Sequence, residues 1–181
     1  MGATATAVPT GTWNVDKSHS KVGFSVKHLG IANVRGEFQD FEGKLEVAED
    51  GTVVASGTVQ TASVNTNEPA RDEHLRSADF FDAETNPQIT FTSTAITPAD
   101  EDTFEITGDL NMHGITKPIT LTAEVTGTED DPWGNQRVGL EVTGQLKRGD
   151  WEMKFNQALG SGNVVVGEKV KLALDISAVK A

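Results

Sequence analysis

Apolar and polar residues alternate singly through one segment of the chain after another, the repeat of a β-strand with one buried face. Over residues 20–28, Val22, Phe24 and Val26 point one way and Lys21, Gly23, Ser25 and Lys27 the other. The same division sets Ile89, Phe91 and Ala95 against Thr90, Thr92 and Thr94, and Phe104, Ile106, Leu110 and Met112 against Glu105, Thr107, Asp109 and Asn111. Ile119, Leu121, Ala123 and Val125 oppose Thr120, Thr122, Glu124 and Thr126. Val138, Leu140, Val142 and Leu146 oppose Arg137, Glu141, Thr143 and Lys147, and Val170, Leu172, Leu174 and Ile176 complete the series. Residues 13–16, 34–47 and 52–64 read as further strands, the second with a bulge or sharp bend around Gly36 and the Phe38/Phe41 spacing. Asp50-Gly51, His113-Gly114 and residues 130–134 suit tight antiparallel connections.

About eight strands with one apolar face each can stack as a sandwich or curl into a barrel. Several segments run to about eleven residues, roughly 36 Å at ~3.3 Å per residue, where sandwich strands are usually nearer five or six. Strands of that length favour an up-and-down antiparallel β-barrel whose narrow interior is either filled by side chains or holds one ligand.

Residues 68–82 break the alternation. Asn67 is placed to cap a helix, Pro69 suits its first turn, and Asp72 and Glu73 complement its positive end. Ala70, His74, Leu75, Ala78 and Phe81 fall on one stripe at helical spacing, with Asp72 and Arg76 as an i,i+4 pair on the other side. The pattern predicts one amphipathic helix that plugs or flanks the barrel.

Composition narrows the function. The 181 residues suit one domain, read as a lead-in over 1–11 and a barrel over 12–181. The net charge of -12 opposes binding to nucleic acid and to anionic lipid surfaces. No segment has the roughly 20 apolar residues of a membrane span. The absence of cysteine removes disulfides and thiolate chemistry, and fits a reducing compartment. Residues 1–11 show no secretion signal, so the expected location is cytoplasmic.

Three groupings suggest chemistry. Arg71, Asp72 and His74 combine acid, base and imidazole, but proton transfer would also need a substrate atom between them. Asp72 reads as a helix-start residue, Arg71 as an ion-pair or backbone-carbonyl partner and His74 as part of the packing stripe. His19, His28, His74 and His113 come from four separate segments with no HxH or HExxH spacing, so no metal site is expected. Asp16, Ser18, His19 and Ser20 sit within one turn and lack a nucleophile elbow, so a local hydrogen-bonded turn is the reading. No catalytic residue and no cofactor is assigned.

Several motifs in one order resemble the YceI-like family of bacterial lipid-binding proteins. They are Trp13-Asn14-Val15-Asp16, His19-Ser20-Lys21-Val22-Gly23-Phe24-Ser25-Val26-Lys27-His28-Leu29-Gly30, Val34-Arg35-Gly36-Glu37-Phe38 and Ser63-Val64-Asn65-Thr66. Arg71-Asp72-Glu73-His74-Leu75-Arg76-Ser77-Ala78-Asp79-Phe80-Phe81, Pro87-Gln88-Ile89-Thr90-Phe91-Thr92-Ser93-Thr94 and Gly108-Asp109-Leu110-Asn111-Met112-His113-Gly114-Ile115-Thr116-Lys117-Pro118 extend the likeness. Where that family tends to have Arg-Ser-Asp-Phe-Gly, this chain has Arg148-Gly149-Asp150-Trp151-Glu152, so a different loop is expected there.

The resemblance implies a lipocalin-like barrel that carries or stores a polyisoprenoid, isoprenoid quinone or similar amphiphile without catalysis. Homodimers, and export in many relatives, come with it. Its ligand would lie against Val22, Phe24, Val26, Phe38, Phe91, Phe104, Ile106, Leu110, Leu121, Leu140, Val142, Leu172 and Leu174. The rival readings are an enzyme using Asp72 and His74 on such a ligand, and a stress or structural protein with a filled barrel. Only a cluster of Arg71, Arg76, Lys117 and Arg148 could attract an anionic head group, so a neutral head is expected.

Overall fold

A sheet with one apolar face can hide that face from water by closing on itself, and this chain does so. The structure, a computed structural model, describes residues 8–181. Its strands are β1 Gly11–Val15, β2 Lys21–His28, β3 Ala32–Phe38, β4 Phe41–Val47, β5 Val53–Gln60, β6 Val64–Asn65, β7 Gln88–Pro98, β8 Thr103–Met112, β9 Ile115–Asp130, β10 Gln136–Lys147 and β11 Val166–Lys180. One α-helix, α1, spans Pro69–Arg76.

The eleven segments make eight antiparallel strands, because three are broken part-way. A 3-10 turn at Lys17–His19 separates β1 from β2, Gln39-Asp40 separate β3 from β4, and a second 3-10 turn at Thr61–Ser63 separates β5 from β6. The lower pieces close the barrel in the order β1-β4-β5-β7-β8-β9-β10-β11, with β11 returning to β1. The upper pieces continue from β11 through β2 and β3 to the two-residue β6, which has no ladder to β7. Consecutive strands are neighbours throughout, as expected of an up-and-down barrel. The connection His113-Gly114 takes φ of 55° and 75°, the doubly left-handed geometry of a tight hairpin.

The segment 66–87, with α1 at its start, spans the gap that β6 leaves. Leu75 and Phe81 pack onto the barrel core, and the Phe81 ring meets Phe38 edge-on at 5.6 Å. Helical geometry ends at Arg76, earlier than residue 82. Within it Ala70 is exposed, and beyond it the stripe loses phase, with Ala78 exposed and Phe80 buried instead. Asn67 is not the cap. Pro69 forces the preceding residue into extended backbone, so Glu68 occupies that position without a side-chain cap. Nor do Asp72 and Arg76 pair, because the Asp72 carboxylate turns inward to Thr66. Replacing half-buried Leu75 by Ala is expected to cost about 2 kcal/mol in chemical denaturation, the low end for a buried leucine. Exposed Ala70→Ser should stay within about 0.5 kcal/mol.

Local geometry also departs from the alternation in two strands. Gly36 pairs regularly with Phe24, and the bend falls at Gln39-Asp40. In β7 the register slips between Ser93 and Ala95, so Ile96 turns inward and Ala95 is exposed.

Two apolar clusters line the interior. The lower one, Val8, Trp13, Val47, Phe104, Val125, Val138 and Ala178, closes one end as a floor. The lead-in expected over 1–11 lies outside the described residues as far as residue 7. From Val8 onward it is packed: Val8 is buried and the Trp13 Nε1–H donates to the Pro9 carbonyl at 2.9 Å. Among the described residues no helix is long and apolar enough to cross a membrane.

Candidate functional site: an apolar pore with one open end

Above the floor the barrel is hollow. A first chamber of about 240 Å³ lies mid-barrel, and a second of about 420 Å³ lies between it and the helix-covered end, the mouth. They share Phe24, Phe38, Met112, Leu146 and Leu172 as common wall, so the two chambers adjoin at a neck along the barrel. The second chamber falls in the range typical of small-molecule sites, and the first lies just below it.

Period-2 alternation creates this lining, since every second side chain points to the axis. Inward glycines shape it. A Cβ on Gly36 would lie 2.5 Å from the Phe24 ring, so glycine there lets that ring lie over β3. Gly43 and Gly57 face each other across β4 and β5 with no side chains at all, which widens the first chamber.

Of the thirteen residues expected to line the pore, the structure brings twelve together. Val22, Phe91, Ile106, Leu110, Leu121, Leu140, Val142 and Leu174 line the first chamber, Val26 the second, and Phe24, Phe38 and Leu172 both. Phe104 is the exception. It points inward but sits in the floor cluster, because alternation sets the face of a residue and not its height along the axis. Sequence reasoning missed Met153, Phe155 and Val165 at the mouth, which come from the irregular segment 152–165, and Val166, which opens β11. Two apolar residues at Met153 and Phe155, spaced by two in a polar loop, are the one signal that could have found them.

Polar groups at the mouth are largely committed to the protein. Arg148, 3% exposed, donates to the backbone carbonyls of Gly167, Val166 and Met153 at 2.7–3.2 Å and lies 5.9 Å from the Phe80 ring centre. Burial pushes its guanidinium below the usual arginine range. Arg71 donates to the Thr66 hydroxyl and carbonyl at 2.7 and 2.8 Å, and Asp72 accepts from the Thr66 amide and hydroxyl at 2.8 and 2.5 Å. Arg76 and Lys117 line neither chamber. The four expected bases therefore do not converge on a head group.

The catalytic grouping does not assemble either. His74 pairs with Asp79 at 2.8 Å and stacks edge-on with Phe80 and Phe155, away from the Asp72 carboxylate. Among the described residues no three histidines or carboxylates gather as metal ligands. Trp151, in the divergent loop, is a core anchor: it is buried, and its Nε1–H donates to the Leu110 carbonyl at 3.1 Å.

Asp16, Ser18 and His19 form a local hydrogen-bonded turn, at the closed end and away from the pore. Arg137 ties it to the β9–β10 loop, donating to Asp16 and to Asp131 at 2.8 Å each. The Arg137 guanidinium, with His19 and Ser18, holds the Asp16 carboxyl well below the usual carboxylate range. Burial works to raise Asp131, but Arg137 and the amides of Asn135 and Trp133 outweigh it and lower it to about 2. A carboxylate depressed in the folded state stabilises fully above its unfolded pKa of about 4 and loses that contribution as pH falls further. Arg137→Met is therefore expected to lower the denaturation midpoint at pH 7, with the gap to wild type closing between about pH 4 and pH 2.

These features define an antiparallel, lipocalin-like barrel, closed below and open above around an apolar pore. The YceI-like domain profile matches residues 13–178, and the chain belongs to the YceI-like family. The protein YceI of Escherichia coli O157:H7 is 42% identical over 156 residues, covering 84% of this chain and 81% of that one. The crystal structure of the Campylobacter jejuni YceI protein superposes with a TM-score of 0.72 at 31% identity, over 92% of this chain and 96% of that one. A polyisoprenoid-binding domain from Saccharophagus degradans shares the fold with a TM-score of 0.70 at 16% identity, over 93% and 98% of the two chains.

Proposed function

We propose that this protein binds one long apolar amphiphile in its pore and carries or stores it without chemical change. The observation that supports this best is the pair of adjoining, mainly apolar chambers above the floor. A barrel filled by its own side chains would leave no such volume. The polyisoprenoid-binding domain in Saccharophagus degradans, on the same fold, favours a prenyl chain as the tail.

The head group belongs at the mouth, beside His28, Gln157 and the committed arginines. With Arg71 and Arg148 engaged by backbone and Thr66, a neutral or weakly polar head such as a quinone or prenyl alcohol fits better than a pyrophosphate. Mass spectrometry of an organic extract of the natively purified protein should yield a prenyl-type lipid. In competition at physiological salt, the prenyl alcohol should bind more tightly than its pyrophosphate. An extract with no lipid would sink the carrier reading, and the reverse order of affinity would sink the neutral head.

A further inference from the structure

The net charge of -12 is unevenly placed. The segments 27–37, 64–88, 109–117 and 145–171, which build the mouth half, hold ten of the 15 bases and eleven of the 27 acids. Nearly all the negative excess therefore sits on the closed half. Strand register gathers half of those ten bases on one outer wall. Lys147 faces Lys169 directly across β10 and β11, and Lys171 faces Ser25 of β2, which faces Arg35 of β3. Lys27 follows Ser25 by two residues on the same outer face.

All five side chains are exposed, and none lies within 4.0 Å of a carboxylate among the described residues. The nearby acids are otherwise engaged: Glu168 accepts from the Gly149 amide, and Glu37 pairs with Lys21. Like charges facing across a ladder oppose its formation, so the wall gains from an anionic partner.

At the top of this wall, the β2–β3 hairpin carries Ile31, 79% exposed. Its tip is braced, not loose: the Leu29 amide donates to the Val165 carbonyl at 3.0 Å and the Asn163 side chain to the Leu29 carbonyl at 3.2 Å. Lys27 and His28, at the foot of the same hairpin, line the mouth chamber. Basic wall, apolar tip and pore opening thus share one edge.

We propose that this edge docks on the anionic head-group layer of a lipid bilayer, with Ile31 set among the head groups and the five bases over them. The strongly acidic closed end would then point away from the surface, so the charge distribution orients the pore toward the membrane. A single apolar tip beside a basic wall fits a head-group layer better than an acidic protein, whose interface would call for a broader apolar centre. Each base near such a surface contributes about fivefold in partition, and screening by salt weakens it.

Trp133 supplies an internal control. It is 77% exposed at the opposite end, in the loop after β9, flanked by Glu129, Asp130 and Asp131. The protein is mixed at low ionic strength with vesicles of phosphatidylcholine and phosphatidylglycerol in equal parts, or of phosphatidylcholine alone. Binding is expected only to the former, and Lys147→Gln and Lys169→Gln should each weaken it about fivefold. In a Trp133→Phe background, Ile31→Trp emission should shift to the blue and be quenched by brominated acyl chains, while Trp133 in the native chain is not. Equal binding to both vesicles, insensitivity to the glutamine variants, or quenching of Trp133 would overturn the proposal. A solution dimer that Ile31→Asp dissociates, without vesicle binding, would assign the edge to a second copy. Retention on immobilised polyglutamate as tight as on vesicles and indifferent to Ile31→Asp would assign it to an acidic polypeptide.

Discussion

A Phe24→Trp protein is expected to stay folded and to lose most of its bound lipid. Phe24 lines both chambers and packs against Phe38 at 5.6 Å between ring centres, so it forms the neck of the pore. The opposing Gly36 leaves its ring no spare room on that side, and the extra bulk of an indole goes into the passage. A tail threaded through the neck would be shortened or displaced, while an occupied tube has volume to give up and stability changes little. In a barrel already filled by side chains, the same change overpacks the core and costs roughly 1–3 kcal/mol. Extracted lipid and the denaturation midpoint, measured on both proteins, separate these outcomes. Unchanged lipid content would place the ligand elsewhere.

The largest loss of stability is expected from Trp13→Ala, about 3–5 kcal/mol in chemical denaturation. Trp13 is fully buried at the centre of the floor, and its indole N–H is satisfied by the Pro9 carbonyl. Alanine removes the largest side chain there and leaves Val8, Phe104 and Val138 around a void. An unchanged midpoint would mean that the floor does not depend on this ring.

Much of this was legible in the sequence because a strand repeats every two residues and a barrel has one inside. The inward faces of β2, β8, β9, β10 and β11 followed directly from alternation, as Val22 and Phe24 or Leu172 and Leu174 show. Alternation fails where the backbone slips. The bulge in β7 exchanges Ala95 for Ile96, and no local residue pattern announces it. It is also blind to height, which is why Phe104 belongs to the floor although its phase is that of the pore wall. Asp72 does stand in the first turn of α1, but its contact with Thr66 depends on how the chain turns before the helix, which the residue pattern does not carry. The basic wall needed the pairing of four strands to exist at all. In the linear chain Arg35, Lys147 and Lys171 are unrelated positions.

The placement of the strand breaks divides labour within the barrel. The continuous ring of eight ladders runs only through the lower half, where β11 returns to β1. In the upper half the ring is interrupted between β6 and β7, and the eight-residue α1 with the segment after it closes the gap by side-chain packing. Lifting that flap breaks no interstrand ladder, so opening it costs less than unfolding the barrel. On the carrier reading proposed above, cargo would pass at the flap while the ring below keeps the chain folded. A tighter, fully laddered mouth would gain stability and lose turnover of its contents.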